Sequence, residues 1–214
     1  MVLVDLPGHG SSAPIAADVP RSALLLADAG GRATYVGYSM GGRTCLQLAL
    51  DRPNLVERLV LLGATAGIED AAQRAARVES DEQLAASIER DGLEAFLDRW
   101  LANPLFAGLS PEAAGVDERR RGSPQGLASS LRLAGTGTMS PLWDRLGELE
   151  MPVLVLAGEH DTKFRALGER LAASIGPNAT FRPVPGAGHS AHLEQPAAFS
   201  SILRSFLDVS VEPQ

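Results

Sequence analysis

A serine flanked by glycines is the first feature of the sequence that could carry out chemistry. Gly37-Tyr38-Ser39-Met40-Gly41 matches the pattern G-x-S-x-G and stands between a predicted strand and a predicted helix. Such a turn projects the serine hydroxyl above the strand end, and side chains at positions 37 and 41 are expected to clash in it. The Met40 N–H would face negative charge that develops on a substrate. The motif alone also fits an inert glycine-rich turn.

A carboxylate and a histidine follow two later predicted strands. Asp161 comes after the strand 153–157, and His189 comes after the strand 180–184 on a glycine-rich loop. The order Ser, Asp, His, each directly after a strand, is typical of a catalytic triad on a parallel sheet. His189 would take the Ser39 proton, and Asp161 would hold the imidazole in the required tautomer.

Other residues compete for these roles. Glu159 is a second carboxylate in the same loop as Asp161, and His192 is a second histidine close to His189. We assign His9 a structural role in its loop, with a contact at the rim of the site as the alternative. Cys45 lies among apolar residues, so we predict that it packs in the core and is no nucleophile.

Alternating elements must position these residues. Short apolar runs predict strands, and apolar positions at helical spacing predict helices between them. The predicted strands cover 2–4, 34–38, 59–62, 153–157 and 180–184, and the predicted helices cover 22–29, 41–51, 164–175 and a last stretch from 196 to 207. This alternation predicts an α/β fold with a mostly parallel sheet, whose chemistry lies at the carboxyl ends of the strands.

One long region breaks the alternation. Residues 68–140 are rich in Ala, Arg and Glu and show helix signals without strand signals, apart from interruptions such as Asp91-Gly92. We therefore predict one domain, with residues 1–67 and 141–214 as the core and residues 68–140 as a helical lid insertion.

Composition excludes several classes of protein. A net charge of −7 repels nucleic acid and anionic membranes, and no apolar run reaches the roughly 18 residues that span a bilayer. A single cysteine and no signal-peptide pattern favour the cytoplasm. The sequence has no Cys/His spacing typical of a metal site and no glycine-rich nucleotide motif, so we expect no metal and no cofactor.

Four segments together resemble a known family. Residues 5–10, 37–43, 158–164 and 187–192 resemble the branch of the α/β-hydrolase superfamily formed by the 2-succinyl-6-hydroxy-2,4-cyclohexadiene-1-carboxylate synthases of menaquinone biosynthesis. The serine elbow and the histidine are common to the superfamily. Arg43, the run Asp161-Thr162-Lys163-Phe164 and the run 189–192 are more particular to this branch.

The resemblance implies elimination instead of acyl transfer. Family members expel pyruvate from a cyclohexene polycarboxylate, and Ser39, activated by His189, would remove the proton while the Met40 N–H stabilises enolate charge. The resemblance also implies substrate-binding residues of two kinds. The cationic ones are Arg43, Arg77, Arg121 and Lys163, and the ones that form apolar walls are Tyr38, Trp100 and Phe106.

Plainer alternatives stand beside these assignments. The arginines and Lys163 could be solvated, and Trp100 and Phe106 could belong to the core of the insertion. The family's arginine matched to Arg121 could instead correspond to Arg120. The rival functions are a serine hydrolase of esters, thioesters or C–C bonds, and an inactive domain that only binds.

The family pattern begins before the first residues of this sequence. In the family, further strands precede residues 5–8, one of them ends in a His-Gly loop that supplies a second oxyanion N–H, and another lies between the predicted strands 2–5 and 34–38. We therefore expect a truncated sheet with weakened or absent activity. As alternatives, the two flanking strands pair directly, or a partner chain fills the gap and the protein is an oligomer.

Overall fold

Four parallel strands form the centre of the protein, for which the computed structural model describes residues 1–208. The strands are β1 (Ala33–Tyr38), β2 (Val56–Leu62), β3 (Val153–Gly158) and β4 (Ala179–Val184), and they lie side by side in that order. Every neighbouring pair is parallel. All six residues of β3 are buried, as expected for a parallel strand covered on both faces. The prediction of an α/β fold with a parallel sheet is confirmed.

Helices connect the strands and cover the sheet. They are α1 (Val19–Gly30), α2 (Met40–Asp51), α3 (Ala71–Leu101), α4 (Val116–Arg119), α5 (Pro124–Ala134), α6 (Thr162–Ile175), α7 (Ala191–Glu194) and α8 (Pro196–Leu207). The Asp18 side chain accepts a hydrogen bond from the Arg21 N–H and so begins α1. The predicted helices agree with α1, α2, α6 and α8, with ends that differ by a few residues. None of the helices within residues 1–208 is long and apolar enough to cross a membrane.

The two faces of the sheet are covered unequally. The larger apolar cluster lies under α1, α2 and α6 and includes Leu46, Leu59 and Val153. On the other face Val60, Leu154 and their neighbours pack against the apolar stripe of α8. Every residue of that stripe is partly exposed, since α8 has no fully buried residue.

The predicted strand at residues 2–4 is wrong. Residues 1–6 form no strand, and Val2 and Leu3 are 77% and 85% exposed. The apolar run suggested burial, but a strand also needs a neighbour that takes up its backbone N–H and C=O groups. Within the described residues β1 pairs only with β2, so residues 1–6 form no ladder along the other edge of β1. Direct pairing of the two flanking strands is therefore wrong as well.

Between β2 and β3 the described chain contains helices and turns but no strand. α3 is interrupted at Gly92, whose φ of 84° and ψ of 175° are not helical. α3 packs against α5, and Arg132 joins the two through ion pairs with Glu82 and Glu89. The break at Gly92 agrees with the predicted interruption at Asp91-Gly92.

Candidate active site

A strained serine turns the chain from β1 into α2. Within the described residues Ser39 is the one non-glycine residue with positive φ, at 50°, and it is the residue before the first turn of α2. Its N–H donates to the Leu62 carbonyl at 2.8 Å, which ties the turn to the end of β2. Strain of this kind persists where the surrounding structure holds it, and it is common at functional sites. The hydroxyl-bearing residue therefore lies at the carboxyl ends of the central strands.

Two glycines make this turn possible, and one of them differs from the expectation. A Cβ at Gly37 would overlap the Gly41 carbonyl, as expected. At Gly41, however, an added Cβ would meet nothing within 4 Å. The second crowded position is Gly42, where a Cβ would lie 2.6 Å from the Ala64 Cβ. The expected clash at position 41 is thus wrong, because α2 turns residue 42 toward the loop after β2.

His189 and Asp161 form a buried pair. His189 Nδ1 lies 2.7 Å from Asp161 Oδ2, and the two residues are 3% and 9% exposed. The other carboxylate oxygen of Asp161 accepts the Phe164 N–H at 3.1 Å. A carboxylate only accepts hydrogen bonds, so Nδ1 carries the proton and Nε2 is left free to accept one. The structure thus joins the ends of β3 and β4 through this pair.

Ser39 and His189 both lie close to the residues at which β2 ends. The Ser39 N–H is bonded to Leu62, and a Cβ built on the next residue, Gly63, would lie 3.0 Å from His189 Cε1. No hydrogen bond in the described chain joins the Ser39 hydroxyl to the imidazole. Catalytic hydrogen bonds are often long without substrate and shorten in the reacting complex. The three predicted triad residues are therefore gathered at one edge of the sheet.

The two rival residues have other surroundings. Glu159 is exposed, and its carboxylate accepts the Gly186 N–H at 2.8 Å without a bond to His189. His192 packs against the Tyr38 ring at 4.5 Å between centroids, and its Nδ1 is buried without a hydrogen-bond partner. Asp161 is therefore the carboxylate that orients His189.

Aromatic rings enclose the imidazole. The Tyr38 ring lies 5.3 Å and the Phe164 ring 4.5 Å from the His189 ring, and the Tyr38 hydroxyl lies 2.9 Å from Ser190 Oγ. Burial raises the pKa of Tyr38, so its hydroxyl stays protonated at neutral pH. Phe164 was not among the predicted site residues. Its place directly after the Asp161 loop was the signal that could have found it.

Arg43 is a buried cation beside the elbow. It is 6% exposed, and its Nη1 donates to the Ala134 carbonyl at 2.9 Å. Burial lowers the pKa of Arg43 to about 10, with a smaller contribution from nearby Arg77, so the guanidinium remains charged at neutral pH. Arg77 itself lies 2.9 Å from both oxygens of the buried Asp81. Two cations and one carboxylate leave a net positive charge here.

The three arginines of the run 119–121 have different partners. Arg121 is 76% exposed in its side chain and pairs with Glu118 at 2.8 Å, and Arg120 pairs with Glu94 at 3.1 Å. Neither is brought to the site. Arg119 is partly buried, its Nε donates to the Ala114 carbonyl at 2.7 Å, and its charge acts on Tyr38 and His192. Arg119 is thus the arginine of this run whose charge lowers the pKa of Tyr38 and of His192, and the sequence analysis did not single it out.

The remaining predicted residues contact other aromatic rings. Trp100 packs in the apolar cluster of the helical region, where its ring stacks on Phe96 at 5.5 Å, and it also contacts the tilted ring of Phe106 at 5.4 Å. These contacts agree with the plainer alternative of a core role. Lys163 is exposed, with its Nζ 5.5 Å from the Phe164 ring centroid, which places it at the rim.

Two further residues have structural surroundings. His9 Nδ1 lies 3.1 Å from the Pro7 carbonyl within its own loop. Cys45 is buried, and burial raises its pKa to about 12, so it is not a thiolate at neutral pH. Both agree with the expected structural roles.

The glycines of the elbow give a test of the packing. We expect Gly42→Ala to lower the free energy of unfolding by roughly 1–3 kcal/mol, because its Cβ would lie 2.6 Å from Ala64. Gly41→Ala is the matched control and should be neutral or slightly stabilising, since nothing lies within 4 Å and alanine favours the helix. Urea unfolding measures both, and equal losses would contradict the packing.

His192 gives a test of the electrostatics. Burial lowers its pKa below 6.5, nearby His189 and Arg119 lower it further, and Glu194 opposes them. The unfolded chain then binds the proton more tightly, so the stability that neutral His192 contributes is lost as pH falls through 6.5 toward the folded pKa. We expect an NMR titration midpoint for His192 below that in the urea-unfolded chain. A midpoint at or above the unfolded value would be contrary to this assignment.

Comparisons with known proteins agree with this geometry. The sequence pattern of the Alpha/beta hydrolase family matches residues 1–202. The 2-succinyl-6-hydroxy-2,4-cyclohexadiene-1-carboxylate synthase of Serratia proteamaculans is 34% identical over 213 residues, which cover 95% of this chain and 81% of that protein. MenH from S. aureus has a TM-score of 0.88 and 34% identity, with 95% of this chain and 81% of that chain covered.

A Bacillus subtilis relative is 40% identical over 177 residues. Its name gives the same synthase activity and marks that activity as proposed. The matched part is 80% of this chain and 64% of that relative, so the match spans less than two thirds of the relative's length. From the matched residues and the shared fold, this chain belongs to the alpha/beta hydrolase family and, within it, to the family of the 2-succinyl-6-hydroxy-2,4-cyclohexadiene-1-carboxylate synthases.

Proposed function

We propose that this chain eliminates pyruvate from a cyclohexene polycarboxylate in menaquinone biosynthesis, as the name of the Serratia relative suggests. The observation that carries the proposal is the buried Asp161–His189 pair beside the Ser39 elbow, with Arg43 nearby as a buried cation. A base and a charge that binds carboxylates are the two requirements of such an elimination.

The triad would act as a proton relay. Asp161 holds the Nδ1 proton of His189, so Nε2 accepts the Ser39 proton, and the serine oxygen then removes a proton from the substrate ring. The electron pair of that C–H bond becomes the second ring double bond, and the bond to the leaving pyruvate unit breaks. The substrate proton restores the serine hydroxyl, and His189 gives the proton it took from Ser39 to the pyruvate enolate that leaves. The Met40 N–H in the first turn of α2 would stabilise the negative charge that develops.

The cations would select the substrate. A guanidinium binds a carboxylate through two parallel hydrogen bonds, and Arg43 uses one of its N–H groups on Ala134, which leaves others for a ligand. Arg77 would add positive charge, and Arg119 would approach from the side of Tyr38 and His192. A plain esterase has no need of several cations around its serine. For this reason we prefer elimination to ester hydrolysis and to binding without turnover.

Residues 68–140 would close over the reacting groups as a lid. The proposal is supported by contacts of α5 with the elbow, where Ser130 Oγ donates to Met40 Sδ at 3.4 Å and the Ala134 carbonyl accepts from Arg43. Trp100, Phe106 and Lys163 would then act from the lid interior and the rim. A cytoplasmic location and a possible oligomer stay predictions of the sequence.

Ser39→Ala and Asp161→Asn test the relay. We expect each to lower kcat for pyruvate release by about 10³-fold or more, because the base is lost or the imidazole takes the wrong tautomer. Pyruvate is measured with coupled lactate dehydrogenase, and p-nitrophenyl ester cleavage is measured in parallel. Rapid ester cleavage without pyruvate release would favour the serine hydrolase. No turnover in either assay, with no labelling of Ser39 by a fluorophosphonate, would favour a binding domain.

Arg119→Gln and Arg121→Gln test which arginine binds the substrate. Arg119 acts on Tyr38 and His192, whereas the side chain of Arg121 is 76% exposed. We expect Arg119→Gln to raise KM by about 10-fold, the effect of one lost charged hydrogen bond, with a smaller change in kcat. Arg121→Gln should leave KM unchanged. The reverse result would return the role to Arg121.

A further inference from the structure

One carboxylate holds the loop that carries His189. Glu194 Oε2 accepts the Gly188 N–H at 2.6 Å, and Oε1 accepts the Ser190 N–H at 2.9 Å. These are the residues immediately before and after His189. Hydrogen bonds to an ionised acceptor are short and stronger than neutral ones. The two oxygens therefore fix the backbone on both sides of the imidazole.

The loop needs such a restraint because its own residues do not supply it. Gly186, with a φ of 67°, and Gly188 give the chain between β4 and α7 wide conformational freedom. Asp161 bonds only the ring of His189, at Nδ1, and so does not by itself fix the backbone. Glu194 packs directly on Gly188, where an added Cβ would lie 3.0 Å from Oε2.

The helical region touches the same carboxylate. A Cβ built on Gly108 would overlap Glu194 Oε2. Gly108 follows the short 3-10 turn Pro104–Phe106, so this stretch approaches Oε2, the same Glu194 oxygen that accepts the Gly188 N–H. The φ of Gly108 is not in the left-handed region, and the close approach to Glu194 is the physical reason for a glycine here.

We infer that Glu194 is a positioning residue for His189, and that Gly108 is the contact through which the region 104–108 sets the place of its carboxylate. Both hydrogen bonds of the Glu194 carboxylate go to backbone N–H groups, and within the described residues it has none to Ser39 or to the His189 ring. The inference rests on the proposed function in one respect, because turnover is measured as pyruvate release. The geometry of the loop itself can be measured without substrate.

Glu194→Gln and Gly108→Ala test the inference. Gln keeps the shape but presents an NH₂ group to one backbone N–H, and Ala at 108 pushes the carboxylate away. We expect each variant to lower kcat for pyruvate release by about 10–100-fold with KM within about twofold, the scale of a small misplacement of a reacting group. The downfield NMR signal of the His189 Nδ1 proton should broaden or shift. The double variant should lose much less than the product of the single effects.

Two matched controls separate positioning from stability. Glu159→Gln removes a carboxylate that also accepts an N–H of this loop, at Gly186, but away from His189. Gly147→Ala adds a Cβ where nothing lies within 4 Å. Both should keep kcat and the His189 signal. Because a merely structural role would act through the melting temperature, each variant is compared at a temperature where its unfolding transition has not begun.

Distinct results would overturn the inference or the function. Glu194→Gln and Gly108→Ala with unchanged kcat and an unchanged His189 signal would overturn the positioning role, as would equal losses in Glu159→Gln. If Glu194→Gln does not fold, the result for Gly108→Ala tests the inference, because Glu194 is intact in that variant. If the wild type releases no pyruvate, the proposed function fails, and the NMR signal alone still decides whether Glu194 positions His189.

Discussion

The buried hydrogen bond between Asp161 and His189 is the interaction on which the site depends. A carboxylate loses its hydration when it is 9% exposed, and this loss is costly unless charged or polar partners replace the water. Asp161 has two such partners, the His189 ring at 2.7 Å and the Phe164 N–H at 3.1 Å. The bond therefore holds together the loops that follow β3 and β4, and it leaves Nε2 of the imidazole free to accept a proton.

The parallel sheet explains why these groups meet. Its strands all end at the same edge, so the turn after β1, the loop after β2 and the loops after β3 and β4 share one small volume. Gly63 contributes by its lack of a side chain, since His189 lies where a Cβ would crowd it. A residue's place in the site is thus set by the end of its strand, however distant it is along the sequence.

The site carries positive charge, whereas the molecule as a whole is negatively charged. The chain carries a net −7, yet Arg43 is buried beside the elbow, and Arg119 acts on Tyr38 and His192. Burial of Arg43 is costly, as its lowered pKa shows, and a bound carboxylate would relieve that cost. The arrangement favours an anionic ligand at a place where the general surface would repel one.

The sequence by itself determined the features that depend on local pattern. The four paired strands, the elbow at Ser39 and the order of Asp161 and His189 could be predicted from the sequence. The alternation of strands and helices, the residues of turns and the ends of strands all depend on residues that are neighbours along the chain. Tertiary structure decided the rest. A strand at residues 2–4 needs a partner edge, which no local pattern reveals. The close contact of Gly42 with Ala64, the partial burial of Arg119 beside two exposed arginines, and the bonds of Glu194 to Gly188 and Ser190 all depend on how separate elements pack. Packing brings together residues that the sequence keeps apart.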